Sequence, residues 1–345
     1  MAQSTTASLN TEAYINDILG TIDREREREI VSRRFGLFDR KETLEQIGEL
    51  LGITRERVRQ LEKSVVNRLK TAAEQGEVPG IPEIEATLVA ELEKVGSVAR
   101  VSKLTERVST ESTKLEQARI AFLASLCPKL VVVNEDDHYY YAVGIKDNRE
   151  EKAIKEAVAK IIDTIKKAGE PLTVEDMART AGVGDEIETE ALASISKHLA
   201  TLNGRWGLVK WPMVNPKNIR DKIYVILKEH GKHMHFNEIA EAIKGSEFKR
   251  KDVTTQAIHN ELIKDKRFVL IGRGIYALKE WGYEKGTVSD IISEVLRNEG
   301  GPLHRDEIVK RVLKSRYVKE TTILLNLQGK PQFKRVAKAT YALAE

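Results

Sequence analysis

Cysteine is nearly absent: Cys127 stands alone in 345 residues, so no intrachain disulfide can form. That suits a reducing compartment, and the cytoplasm is the expected location. Aromatic residues make up only 6% of the chain, which leaves the cores to aliphatic side chains. Long apolar runs are also missing, and nothing approaches the ~20 residues that cross a bilayer. The stretch Met1 to Thr11 is polar and lacks the apolar centre of a secretion signal. No membrane partner is expected. The sequence has no P-loop, dinucleotide fingerprint, HExxH motif or nucleophile elbow. No enzymatic activity, cofactor, bound metal or small-molecule substrate is expected.

Charge is what the chain has in quantity. At 32% charged and 41% hydrophobic it is too apolar to be disordered, and its length implies two to four domains. The net charge of +4 is local: Arg24 to Lys70 holds thirteen Lys and Arg against nine Asp and Glu, which accounts for the whole excess. Cations gathered at one end point to a polyanion, because neutralising phosphates releases condensed counterions. A solvated helix face is the alternative.

A repeat organises the rest. An aromatic followed by small and aliphatic residues recurs at Tyr141-Ala142-Val143, Trp206-Gly207-Leu208-Val209, Tyr276-Ala277-Leu278 and Tyr341-Ala342-Leu343, at spacings of 65, 70 and 65 residues. Each closure follows an amphipathic helix ending in glycine (Gly96, Gly169, Gly231, Gly300), a short second helix and a third. In three copies a small strand precedes the second helix, at Pro171-Leu172-Thr173, His233 to Phe236 and Pro302-Leu303-His304. Acidic residues then open that helix (Glu175-Asp176, Glu238, Asp306-Glu307), where the helix dipole favours them. Helix, strand, helix, helix, hairpin is the winged-helix order. The predicted fold is mainly α with small β wings: a helix-turn-helix domain followed by about four tandem winged-helix repeats. The first copy is the least regular. Predicted boundaries are a flexible tail at 1–11, the helix-turn-helix at 12–74, and repeats at 82–146, 150–213, 217–283 and 286–345. The stretch Gln75 to Glu83, with Gly76, Pro79, Gly80 and Pro82, marks the first boundary.

Thr43-Leu44-Glu45-Gln46 is a capping box opening a helix that turns Leu44, Ile47, Leu50 and Leu51 inward. Gly48 lets another helix approach, Gly52 supplies a positive-φ turn, and Thr54 caps the next helix. That helix, Arg55 to Lys70, buries Val58, Leu61, Val65 and Leu69 and turns Arg55, Glu56, Arg59, Gln60 and Lys63 outward. These outward side chains are the types that recognise base edges: arginine for guanine, glutamine for adenine, glutamate for the cytosine amino group.

Leu44 to Gly48 with Gly52-Ile53-Thr54-Arg55-Glu56-Arg57-Val58-Arg59-Gln60-Leu61-Glu62 closely resembles region 4 of the bacterial sigma-70 family. Asp23 to Val31 and Arg33-Arg34-Phe35-Gly36-Leu37 resemble its preceding part. The resemblance implies a domain that binds the −35 element of double-stranded promoter DNA and docks on the β flap of RNA polymerase core. By motif position it assigns base contacts to Arg55, Glu56 and Gln60 with Arg59 beside them, and backbone contacts to Thr43, Thr54, Arg57 and Lys63. Ser64 stands where the family often has lysine, with Lys63 adjacent. Nothing resembles the aromatic region that melts the −10 element, so a self-sufficient sigma factor is not expected. In the third repeat, Ile226 to Glu229, Phe236 to Ile239 and the closure Tyr276 to Tyr283 are similar to HARE-HTH, the winged helix of the polymerase delta subunit, and the fourth repeat fits more loosely. The expected function is a sigma-like transcription regulator binding −35-type promoter DNA and polymerase. The alternative is a polymerase-associated interaction scaffold with secondary DNA binding, which the near-neutral repeats favour for the C-terminal part.

Other candidates have blander readings. His230, His233 and His235 crowd together without a cysteine, as exposed histidines on an edge strand would. Asp136-Asp137-His138 is expected as a solvated wing tip and Cys127 as a buried apolar residue. Gly272-Arg273-Gly274 is expected as a wing turn whose arginine can touch DNA backbone.

Overall fold

The computed structural model describes residues 9–248, 250–283 and 285–344. The chain forms two compact units, Met1–Val209 and Lys210–Glu345. The first begins with α1 (Thr11–Gly20), α2 (Glu25–Phe35), α3 (Leu44–Leu51) and α4 (Arg55–Glu74). It continues through α5 (Ile81–Glu93), β1 (Val98–Arg100), α6 (Val101–Val108), α7 (Lys114–Leu126), β2 (Leu130–Val133) and β3 (Ala142–Ile145). Then come α8 (Glu151–Ala168), β4 (Leu172–Thr173), α9 (Val174–Ala181), α10 (Glu186–Ser194), β5 (Leu199–Leu202) and β6 (Arg205–Leu208).

The second unit holds α11 (Ile219–His230), β7 (Met234–His235), α12 (Phe236–Gly245), α13 (Thr255–Lys264), β8 (Phe268–Gly272) and β9 (Ile275–Leu278). It ends with α14 (Val288–Glu299), β10 (Leu303–His304), α15 (Arg305–Ser315), α16 (Glu320–Gly329), β11 (Phe333–Ala337) and β12 (Thr340–Leu343). The described residues contain small antiparallel sheets of three strands, each with its last strand in the middle: β1-β3-β2, β4-β6-β5, β7-β9-β8 and β10-β12-β11.

Strand runs into helix at each sheet's first edge because one residue serves both. Thr173, His235 and His304 have extended backbones, and their side chains accept an N–H from the first turn of α9, α12 and α15. The central strand carries the predicted aromatic in three sheets, where Trp206, Tyr276 and Tyr341 are buried opposite Leu172, Met234 and Leu303. The first sheet differs from expectation. The residue at the matching register is Val143, opposite Ala99, and Tyr141 lies two positions earlier. Tyr141 packs at the core's edge, where burial pushes its phenol up to about 12. β1 gives this copy an edge strand that the sequence pattern had hidden.

The linker after α4 separates no cores. One apolar cluster runs from Ile15 and Ile18 of α1 through Val31, Val65 and Leu69 to Ile84, Leu88 and Leu123. Gly80 adopts φ +76 under the Tyr14 ring, where a Cβ would come within 2.4 Å of the ring. Leu9 to Thr11, assigned to the tail from sequence, are packed: the Leu9 N–H donates to the Val108 carbonyl at 2.9 Å. The Thr11 hydroxyl donates to Glu116 at 2.8 Å. Arg119 is only 6% exposed and ties three elements together. It donates to the Leu37 carbonyl at 2.8 Å, to Glu116 at 2.9 Å and to Glu12 at 2.9 Å.

The wing tip at Asp136-Asp137-His138 is not free. The Asp136 carboxylate accepts the His138 and Tyr139 N–H groups and fixes the turn. The strap then pairs with the segment before β5: Tyr140 N–H donates to Ile195, Lys197 N–H donates to His138, and the two rings His138 and His198 meet at 2.7 Å. Behind it, Arg149 bonds Glu188 at 2.8 Å. A Cβ on Gly96 would lie 2.6 Å from the Ile187 carbonyl, so α10 seats against the β1 edge only because position 96 has no side chain.

Replacing Arg119 by methionine keeps the stem but leaves the buried Glu116 carboxylate without its cation, held only by the Thr11 and Ser109 hydroxyls. A loss of about 3–5 kcal/mol is expected for breaking such a buried pair. Denaturant unfolding followed by circular dichroism checks this; a change under ~1 kcal/mol would match a surface pair instead.

Candidate nucleic-acid interface

The helix-turn-helix is assembled by local rules. Gln46 N–H donates to the Thr43 hydroxyl at 3.2 Å while Thr43 N–H donates to the Gln46 side chain at 2.9 Å, which completes the capping box. Gly52 ends α3 at φ +63. Thr54 caps α4 by accepting the Arg57 N–H at 3.2 Å. Gly48 is required by its own turn rather than by another helix: a Cβ there would sit 2.7 Å from the Ile53 carbonyl. Ile30, Ile47 and Val58 form the small core between α2, α3 and α4. Leu50, expected inward, is 54% exposed, because α3 is short and the aliphatic side of α4 meets Ile47 and Leu51 instead.

α4 sorts its side chains as its periodicity predicts. Val58, Val65 and Leu69 are buried, and Leu61 is half-buried. Arg55, Glu56, Arg57, Arg59, Gln60 and Lys63 are exposed, as are Thr43 and Thr54 at the two caps. The outward groups bond to one another. Arg55 donates to Glu45 at 2.7 Å, and Arg59 grips Glu56 with two bonds of 2.9 and 2.7 Å. Gln60 donates to Glu56 and accepts from Arg57, both at 3.3 Å. The Arg59 guanidinium, first of several causes, holds the exposed Glu56 carboxyl down at about 2. Fully exposed and screened by water, these pairs contribute little to stability. A partner that displaces the carboxylates would meet little resistance from pairs this exposed.

Much of the basic excess has other work. Arg26 donates to the Leu51 carbonyl and so satisfies the end of α3. Arg33 bonds Glu29 and Glu42, Arg34 bonds Glu62, and Arg68 bonds the buried Glu27 at 2.7 Å. Counting charge cannot separate these from the outward arginines, although the i,i+4 pairing of Glu29 with Arg33 was visible in the sequence.

The other candidates fall elsewhere. Cys127 is buried, with its thiol donating to the Leu123 carbonyl and its pKa pushed up by burial. His235 caps α12 and stacks on Phe236, while His233 stacks on Tyr317 with centroids 4.4 Å apart. Among the described residues no group of His, Cys, Asp and Glu is placed to hold a metal. Arg273 and Gly274 form the turn between β8 and β9, with Gly274 at φ +68 against the His235 ring. No helix among the described residues is long and apolar enough to cross a membrane.

This geometry defines a helix-turn-helix of a particular kind, for residues 24–71 match the family described as Sigma-70, region 4. The chain is 49% identical over 55 residues to RNA polymerase sigma factor sigB of Arabidopsis thaliana, covering 16% of this chain and 9% of that protein. It is 44% identical over 62 residues to RNA polymerase sigma factor RpoD of Helicobacter pylori, covering 17% and 9%. Over 57 residues it is 44% identical to RNA polymerase sigma factor SigA of a Bacillus species, covering 16% and 15%. The chain thus spans no more than 15% of the length of these relatives.

The ion pairing has a spectroscopic consequence. By NMR the Glu56 carboxyl should titrate near 2, and in Arg59→Ala it should return toward the ordinary glutamate value of about 4.3. Because the folded pKa is depressed, the pair's contribution is present above the unfolded value and fades as pH falls toward 2. An unshifted Glu56 in the parent chain would mean the pair does not persist in solution.

Proposed function

We propose that this protein is a sigma-like transcription regulator whose α4 enters the major groove of −35-type promoter DNA and which acts together with RNA polymerase. The observation that carries this reading is the exposure of the whole polar stripe of α4 on the first unit, above a buried aliphatic underside. In this reading Arg55, Glu56, Arg59 and Gln60 contact base edges. Thr43, Thr54, Arg57 and Lys63 serve the phosphates. The two threonine hydroxyls already cap helices, so their phosphate contacts would use the remaining hydrogen-bonding capacity of the same oxygens. Docking on the polymerase β flap is the further contact that the resemblance implies. The underside of the helix-turn-helix is covered by α7, so that contact would use the remaining exposed apolar side chains, Phe38 and Leu50.

The chain's repeating element order supports four winged-helix repeats, with the third and fourth of HARE-HTH type. Two of their third helices are engaged within the first unit: α7 is buried by α1, and α10 lies on β1. A helix occupied in this way is not available to a groove. This favours protein contacts over DNA contacts for the first two repeats and gives the scaffold reading its support.

Binding to a −35-type duplex and to a scrambled one, over a salt series, tests the proposal. Arg55→Ala and Gln60→Ala should each lose about 1–3 kcal/mol on the specific duplex only. Lys63→Ala should weaken both duplexes and lower the salt slope by about 1. Equal losses for all three on both duplexes would show that the stripe does not recognise sequence. If the doubly substituted full chain still captures polymerase core without any duplex, the scaffold role stands by itself.

A further inference from the structure

A cleft of about 460 Å³ opens where the helix-turn-helix meets the α6–α7 layer. Its charged lining is Arg34, Lys41, Arg100, Glu62 and Glu135. Both carboxylates are already matched, Glu62 by Arg34 at 3.1 Å and Glu135 by Lys197 at 2.8 Å. Two cations are not. Arg100 lies over the Tyr140 ring at 3.8 Å and donates to the Ser194 carbonyl, with no carboxylate on it. Lys41 is an exposed residue and, among the described residues, has no hydrogen-bond partner. Burial, and then Arg34, hold its ammonium below the ordinary lysine value against the pull of Glu62 and Glu135. Burial likewise lowers Arg100. Positive charge that is partly desolvated and unmatched is an invitation to an anion.

The backbone contributes to the same place. Gly36 takes φ +67, and a Cβ there would lie 2.8 Å from the Lys41 backbone nitrogen; the tight loop that sets Lys41 at the cleft depends on glycine. The first turn of α6 also lines the cleft through Val101 and Ser102. Its N-cap, Arg100, supplies no side-chain acceptor, and although the Val101 N–H is taken by the Tyr141 carbonyl at 2.9 Å, no side chain caps the N–H groups that follow it. The remaining lining is of another kind: the carboxamides of Gln117, whose N–H also reaches the Ser112 carbonyl at 3.4 Å, and of Asn134, with apolar walls from Phe35 and Tyr141. Carboxamides offer paired donors and acceptors to a base edge, and aromatic walls suit a flat ring. A sugar–phosphate backbone has no use for either. The volume falls within the range of small-molecule sites.

We propose that this cleft binds a nucleoside phosphate, with Lys41 and Arg100 on the phosphate groups and Gln117 and Asn134 on the base. The site differs from any P-loop, since its cations come from a loop and an N-cap. It touches the DNA-reading helix directly, because Glu62 of α4 is held by Arg34 on the cleft wall.

Calorimetric titration of the full chain with ATP, GTP and pyrophosphate, and separately with a −35-type duplex, tests this. At least one nucleotide should bind saturably. Lys41→Gln should weaken both that nucleotide and pyrophosphate by roughly tenfold or more, as expected for losing a charge-assisted contact. Asn134→Ala should weaken the nucleotide and leave pyrophosphate unchanged. The proposal fails if neither nucleotide binds by about 1 mM, or if Lys41→Gln, with its circular dichroism intact, binds like the parent. Pyrophosphate binding as tightly as nucleotide, with no effect of Asn134→Ala, would reduce the site to a bare anion site and overturn the nucleoside assignment. Loss of duplex binding alone would assign the two cations to DNA backbone and also overturn it.

Discussion

Between α1 and α7 a buried arginine and a buried glutamate, Arg119 and Glu116, are joined by the Thr11 hydroxyl and the Leu37 carbonyl. Burying two charges is costly unless every donor and acceptor is met, and here the partners come from α1, from the loop after α2 and from α7. The apolar cluster around them continues from α1 into α5 and α7 without a break. The helix-turn-helix has only a small separate core, Ile30, Ile47 and Val58. Its orientation and rigidity therefore rest on the layer beneath it, and any recognition surface on α4 needs such a platform if its side chains are to meet a partner in register.

The outer face of α4 shows how an exposed charged surface stays ready without being sticky. Arg55 and Arg59 are paired with glutamates of α3 and α4, and Gln60 joins the same network. Each pair is weak in water, so exchange of a carboxylate for a guanine edge or a phosphate meets little resistance. Five more cations of the basic stretch, Arg24, Arg26, Arg33, Arg34 and Arg68, are fastened to carboxylates or a helix end. The +4 excess of that stretch thus overstates how much positive charge is unpaired on the surface.

Legibility followed the range of each interaction. Caps, the Gly52 turn and the two faces of α4 depend on neighbours within a turn or two of helix, and the sequence displays them. Trp206, Tyr276 and Tyr341 were recognisable as closing-hairpin residues because each repeat spaces them from its own short strand; pairing then put them on the central strand. Tyr141 misled because an aromatic near the right spacing mimics register, whereas pairing placed Val143 at that point. Leu50 misled because a heptad-like pattern does not state how short a partner helix's footprint is. The cleft beside Lys41 was invisible, since its lining comes from five separate stretches of chain between Arg34 and Tyr141.

By itself the sequence determined that a capped, glycine-turned helix pair presents Arg55, Glu56, Arg59, Gln60 and Lys63 to solvent, because those choices are made by local backbone and periodicity. It also determined the repeated order of helices and hairpins. Only the tertiary structure decided that the glycine- and proline-rich linker joins rather than separates, that α7 and α10 are spoken for within the chain, and that two unmatched cations face one cleft. Those outcomes depend on contacts between residues tens of positions apart, whose free energies are settled by packing that no single segment encodes.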